Sequence, residues 1–114
     1  MLEQRPNTSS DNRRKKPRQR VVLRGKIVYG DGQYTLDCII RDISSKGARV
    51  TVQKGHSMPT HVYLIDMRNG VAHGAEVASI RAPEFGLNFL RTYELAGLTD
   101  PNLLYLRQLW VSCA

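Results

Sequence analysis

The chain has 114 residues, 41% hydrophobic and 24% charged, the balance of one folded domain with a single modest core rather than a disordered or fibrous chain. Its longest apolar runs are only a few residues, which excludes a membrane-crossing helix, and the opening Met1-Leu2-Glu3-Gln4 lacks the apolar stretch of a signal peptide, so the expected location is the cytoplasm. The formal charge of +7 is uneven, since residues 1–20 hold seven Lys or Arg against Glu3 and Asp11 while residues 21–114 hold ten against eight acids; an anionic partner met at the amino end is implied.

In chain order, residues 1–12 are polar and aperiodic, and the sequence predicts a disordered tail. Residues 13–20, Arg-Arg-Lys-Lys-Pro-Arg-Gln-Arg, carry six cations in eight positions. Pro17 removes a backbone donor and disfavours helix at Lys16, so this basic arm is expected to be extended and flexible. From Val21 to Tyr29 apolar and polar residues alternate with the period of a half-buried strand. Gly30-Asp31-Gly32 then predicts a hairpin, because both glycines take positive φ without steric cost.

A second strand is expected from Thr35 to Arg41, with Leu36, Cys38 and Ile40 inward, followed by a polar turn from Asp42 to Gly47. Ala48 to Val52 alternates as a third strand, and after the loop Lys54 to Pro59 a fourth is expected from Thr60 to Met67. Arg68-Asn69-Gly70 is a hairpin signal leading into Val71 to Arg81, whose small residues suit a strand bent around a barrel. Ala82-Pro83-Glu84 turns into the sixth strand, Phe85 to Leu90, with both phenylalanines inward. Six short strands joined by tight turns argue for a mainly β fold, a six-stranded antiparallel β-barrel. The carboxyl end changes period: Asp100-Pro101 fits an N-cap and first helical position, and Leu103, Leu106 and Trp110 recur at helical spacing. A C-terminal α-helix over about residues 100–111 is expected to cover one open end of the barrel, with Trp110 as a core or plug residue. The domain itself is expected to span residues 21–114.

Several chemistries are disfavoured. Cys38 reads as a core thiol and Cys113 as an exposed tail thiol, and His56, His61 and His73 lie apart without zinc-ligand spacing. Neither a metal nor a cofactor is therefore expected. No carboxylate pair with a division of labour and no Gly-x-Ser-x-Gly turn is present, so the chain is not expected to be an enzyme. RNA or single-stranded DNA binding by a small basic barrel is also disfavoured, because the five tyrosines are scattered rather than gathered into a stacking platform.

The basic arm and the turn from Asp42 to Gly47 together make a candidate site for a guanine nucleotide. An arginine fork donates two coplanar hydrogen bonds, which match O6 and N7 on guanine's Hoogsteen edge or two phosphate oxygens. The opposite edge offers N1–H and N2–H donors, for which a carboxylate such as Asp42 is the acceptor that favours guanine over adenine. Ser44 can reach a phosphate or ribose oxygen, and Gly47 permits a positive φ or a close backbone approach.

Arg14-Lys15-Lys16-Pro17-Arg18 fits the RxxxR motif, and Asp42-Ile43-Ser44-Ser45-Lys46-Gly47 the D/NxSxxG motif, of the bacterial PilZ domain, a receptor for cyclic di-GMP. The order and separation of the motifs resemble the family's, Phe85-Gly86-Leu87-Asn88-Phe89 resembles its last strand, and the likeness runs from about residue 13 to 110. The resemblance implies that Arg14 and Arg18 contact the nucleotide with Asp42, Ser44 and Gly47. It also implies that Arg13, just ahead of the pair, stacks on a purine of an intercalated ligand dimer. Lys15, Lys16 and Arg20 are expected to be solvated or to act as long-range attractors. An arm that orders around the ligand would change the surface offered to an unidentified, separate protein effector, with control of motility, surface polysaccharide or virulence as the implied output. A PilZ-like adaptor that keeps only its protein contacts is the alternative.

Overall fold

The computed structural model describes residues 19–52 and 57–113, so Arg13, Arg14 and Arg18, with the rest of the arm to Arg18 and the expected tail 1–12, lie outside the described residues. Six antiparallel strands follow one another: β1 Gln19–Tyr29, β2 Tyr34–Ile43, β3 Gly47–Val52, β4 His61–Asp66, β5 Val71–Arg81 and β6 Glu84–Glu94. They close as a barrel in the order β1-β2-β3-β6-β5-β4, with β4 pairing back to β1 between Gly25↔Asp66 and Val28↔Tyr63. A short 3₁₀ turn, Leu95–Gly97, leads toward the helix α1, Leu104–Cys113.

The turns carry the backbone geometry their residues invite. Between β1 and β2, Gly30, Asp31 and Gly32 all have positive φ, at 64°, 55° and 92°, and the Gln33 amide donates to the Gly30 carbonyl at 3.0 Å. Between β4 and β5 the Gly70 amide donates to the Asp66 carbonyl at 2.9 Å. The buried Asp66 carboxylate accepts from the Asn69 main-chain amide at 3.1 Å and from its side-chain amide at 2.7 Å. That satisfies a group which would otherwise be costly to bury.

The barrel interior is filled by residues of one parity, among them Ile27, Ile40, Val50, Leu64, Phe85 and Leu87. Cys38 belongs to this cluster, and burial pushes its thiol up to about 12. His73 also points inward, stacked on Phe89 with ring centroids 3.9 Å apart and its Nδ1 3.0 Å from the Thr92 hydroxyl. Burial lowers its pKa.

A second apolar cluster lies outside the barrel, and it corrects the expected position of the helix. Val28, Ile65 and Ala72 are buried although they alternate with the interior residues Ile27, Leu64 and His73. They face outward and are covered by Leu106, Leu109 and Trp110 of α1. The helix thus lies along the barrel wall instead of plugging an end, because β4 offers apolar side chains on both faces. Trp110 is a core residue of this outer layer: its indole N–H donates to the Met67 carbonyl at 3.0 Å, and the ring lies over Gly70. Cys113, expected to be an exposed tail thiol, is half-buried against the same cluster. The helix begins later than its cap signal because Asp100 closes a preceding turn, its carboxylate accepting from the Asn102 amide at 2.9 Å and its carbonyl from Leu103 at 2.9 Å.

Candidate functional site

The corner expected to bind a ligand is built by two strands and a bulge. Ile40 pairs with Val50 and Asp42 with Arg49, so Arg41 is an extra residue in β2 at this point. Simple alternation from Cys38 and Ile40 would send Asp42 into the barrel. The bulge instead turns it to the face of Arg49, which alternates outward between buried Ala48 and Val50. The motif turn is therefore tighter than its six letters: Asp42 still belongs to β2, Gly47 already begins β3, and only Ser44 to Lys46 connect them.

The expected site residues that are described, Asp42, Ser44 and Gly47, each have a definite setting. Asp42 is nearly buried, and its Oδ2 accepts from Arg49 Nε at 2.8 Å. The Ser44 hydroxyl accepts from the Lys46 amide at 3.1 Å and stands 3.5 Å from the Gly47 carbonyl, so it shapes the turn. Gly47 is buried and lacks positive φ. A Cβ there would overlap the Leu87 carbonyl oxygen of β6, so the close approach anticipated for a ligand is made by a neighbouring strand.

Three residues of this corner, Arg41, Arg49 and Glu84, escaped the sequence reading. Arg20, expected to be solvated or a long-range attractor, is exposed in β1, which starts two residues earlier than expected, and it stands directly opposite Asp42. Arg49 carries a second ion pair, with Nη1 2.8 Å from Glu84 Oε2 on β6. The hydrogen bond to Asp42, followed by that to Glu84, raises the guanidinium's pKa. Arg20, Arg41, Arg49 and Glu84, together with Val21 and Val22, line a surface recess of about 430 Å³. Arg49 is compensated by its two acids, so the excess positive charge of the recess comes from Arg20 and Arg41. The outward parity of Arg49 was the one available signal; its partner lies 35 residues away in sequence.

Elsewhere, a concavity of about 360 Å³ beside the helix is lined by Tyr29, Tyr63, Tyr93 and Tyr105 with Arg91 as its single arginine, and it shares no residue with the basic recess. Asp42, Ser44 and Gly47 do not themselves line the basic recess; Asp42 adjoins it through Arg49. Among the described residues no group of three or more His, Cys, Asp or Glu is arranged to hold a metal ion. No described helix is long and apolar enough to cross a membrane.

Comparison with solved structures finds the Bacillus subtilis inhibitor of motility MotI/DgrA, at a TM-score of 0.57 and 17% identity, covering 89% of this chain and 50% of that one. This chain thus spans half the length of that protein. A second similar structure, the PilZ domain of CeSA from a cellulose-synthesizing bacterium, has a TM-score of 0.49 and 15% identity, with 84% of this chain and 91% of that one covered. No curated protein matches the sequence. The family model described as PilZ domain matches residues 12–97, a span holding the basic run, the Asp42 to Gly47 corner and all six strands. By that match the chain belongs to the PilZ domain family, a family of cyclic di-GMP receptors.

Proposed function

We propose that this protein is a cyclic di-GMP receptor whose amino-terminal arm closes over the ligand at the recess beside Asp42 and so changes the surface presented to a protein effector. The observation that carries this reading is the pairing of Arg20 with Asp42 across β1 and β2. Arg18 is two residues before Arg20, so at most about 7 Å of extended chain separates their Cα atoms. The arm therefore enters the fold at the corner that carries the second motif. Arg14 and Arg18 grip the guanine Hoogsteen edge and the phosphates, and Arg13 lies on a purine face. Asp42 accepts from N1–H and N2–H, Ser44 reaches a phosphate or ribose oxygen, and Gly47 keeps the corner's shape.

The basic recess supplies what a dianionic ligand needs, and ordering the arm consumes part of the binding energy while remodelling the surface. The output is control of motility, surface polysaccharide or virulence through that effector, in a protein that acts in the cytoplasm and catalyses no reaction. Calorimetric titration is expected to give a Kd of about 1 μM or tighter for cyclic di-GMP, with Arg14→Ala and Arg18→Ala each abolishing it. No heat and no shift of amide resonances at millimolar ligand would refute the receptor reading. A salt-dependent gel shift with oligonucleotides in its place would move the assignment to nucleic acid.

A further inference from the structure

Asp42 is held by a chain of groups that spans three strands. Oδ2 of Asp42 on β2 accepts from Nε of Arg49 on β3, and Nη1 of the same guanidinium donates to Oε2 of Glu84 on β6, both at 2.8 Å. The side chains are 9%, 36% and 41% exposed from Asp42 to Glu84, so the network runs from a nearly buried acid to a surface anchor. The register explains how one arginine reaches both acids. Arg49 is directly opposite Asp42 on one side and Gly86 on the other, and Glu84, two residues from Gly86, is the diagonal neighbour on the same face. A guanidinium is planar and rigid, so fixing two of its donors on different strands fixes its plane and the position of Oδ2.

We propose that Arg49 and Glu84 are positioning residues that set the guanine specificity of Asp42 without themselves reading the base; this rests on the receptor reading above. An aspartate carboxylate swings about two side-chain torsions, and this one has other cations to turn toward. Arg20 lies opposite it, and Arg41 lines the adjoining recess. Arg49 keeps the carboxylate on the outer face and at a fixed angle, as an acceptor for a purine must be if it is to engage N1–H and N2–H together. The guanidinium occupies one lone-pair position of Oδ2 and in this reading keeps it when the ligand binds. Glu84 prevents the guanidinium from rotating with its acid, so a residue beside the β5–β6 turn tunes which base is accepted.

The test is the ratio of affinities for two probes, cyclic di-GMP and its hypoxanthine analogue cyclic di-IMP, which lacks only the 2-amino donors. Wild type is expected to favour the guanine ligand by about tenfold or more, the effect of one hydrogen bond to a charged acceptor. In Arg49→Gln and in Arg49→Lys the ratio is expected to fall to about threefold or less, although the lysine keeps the charge, because one ammonium cannot bridge both acids at the guanidinium's spacing. Glu84→Ala, at a half-exposed position, is expected to give an intermediate ratio with an unchanged melting temperature, and it carries the test if Arg49→Gln does not fold. Wild-type binding with variants that keep the wild-type ratio, however weakened overall, overturns the proposal and leaves the receptor reading intact. So does wild-type binding without base preference. Absence of any wild-type binding fails the receptor reading first and the proposal with it.

Discussion

Replacing Gly47 with alanine separates a structural from a ligand-contacting role for this motif glycine. A Cβ at this position overlaps the Leu87 carbonyl oxygen and comes within 3.4 Å of the Leu87 carbonyl carbon and 3.5 Å of the Asn88 Cα. All three are main-chain atoms of β6, paired across from Gly47 and Ala48, so no side-chain rotation relieves the contact. β3 has to move away from β6, which disturbs the Phe89 amide's bond to the Lys46 carbonyl at 2.8 Å and the Ser44 amide's bond to the Gly47 carbonyl at 2.9 Å. Two such bonds are worth about 1 kcal/mol each, and overpacking adds about 1–3 kcal/mol. The entropy removed from the unfolded chain returns about 0.4–1 kcal/mol.

The net expectation is a loss of about 2–4 kcal/mol, or roughly 10–25 °C in Tm for a domain of this size. Circular dichroism melting without ligand, with urea titration alongside, reads it. A Gly47→Ala protein that melts within a few degrees of wild type refutes the argument. If that stable variant also fails to bind cyclic di-GMP, the glycine serves the ligand instead.

Trp110→Phe strips the Met67 carbonyl of the 3.0 Å indole donor and is expected to destabilise the protein by about 1–3 kcal/mol in urea titration; an unchanged midpoint would show that the outer layer adds little. His73 is held neutral by burial, so its folded pKa lies below the unfolded value of 6.5. Its stabilising contribution is complete above that value and is lost as pH falls through the folded pKa. Denaturation at stepped pH should show a decline on acidification below about pH 6.5 that shrinks in His73→Phe, and an equal decline in both proteins would contradict this. Cys38, raised by burial to about 12 from 9.0, is expected to resist iodoacetamide at pH 8.5 while Cys113 reacts, with mass spectrometry as the readout. Its share of the stability is complete below 9.0 and is lost as pH climbs toward about 12; prompt labelling of Cys38 in folded protein would sink both statements.

The strands were legible because inward residues alternate with outward ones, as in Leu36, Cys38 and Ile40, and because glycine-bearing turns follow β1 and β4. The family was legible from two short motifs. The location of α1 was not, since Val28 and Ile65 look like ordinary apolar neighbours of Ile27 and Leu64 until both faces of their strands are seen to be covered. Nor was the Asp42, Arg49 and Glu84 network, which depends on the register of three strands, a property of pairs of strands that no single stretch encodes. The close packing at Gly47 was not legible either, because the Leu87 carbonyl oxygen it approaches lies forty positions further along the chain.

The single unpaired residue at Arg41 decides which way the Asp42 corner faces. Had β2 paired regularly, Arg41 would sit across from Arg49, setting two like charges side by side, and Asp42 would point at the apolar lumen between Ile40 and Ala48. Both faults vanish together when one residue is skipped. Electrostatic misfit in the nearest competing register thus adds to the turn in keeping the hairpin in frame.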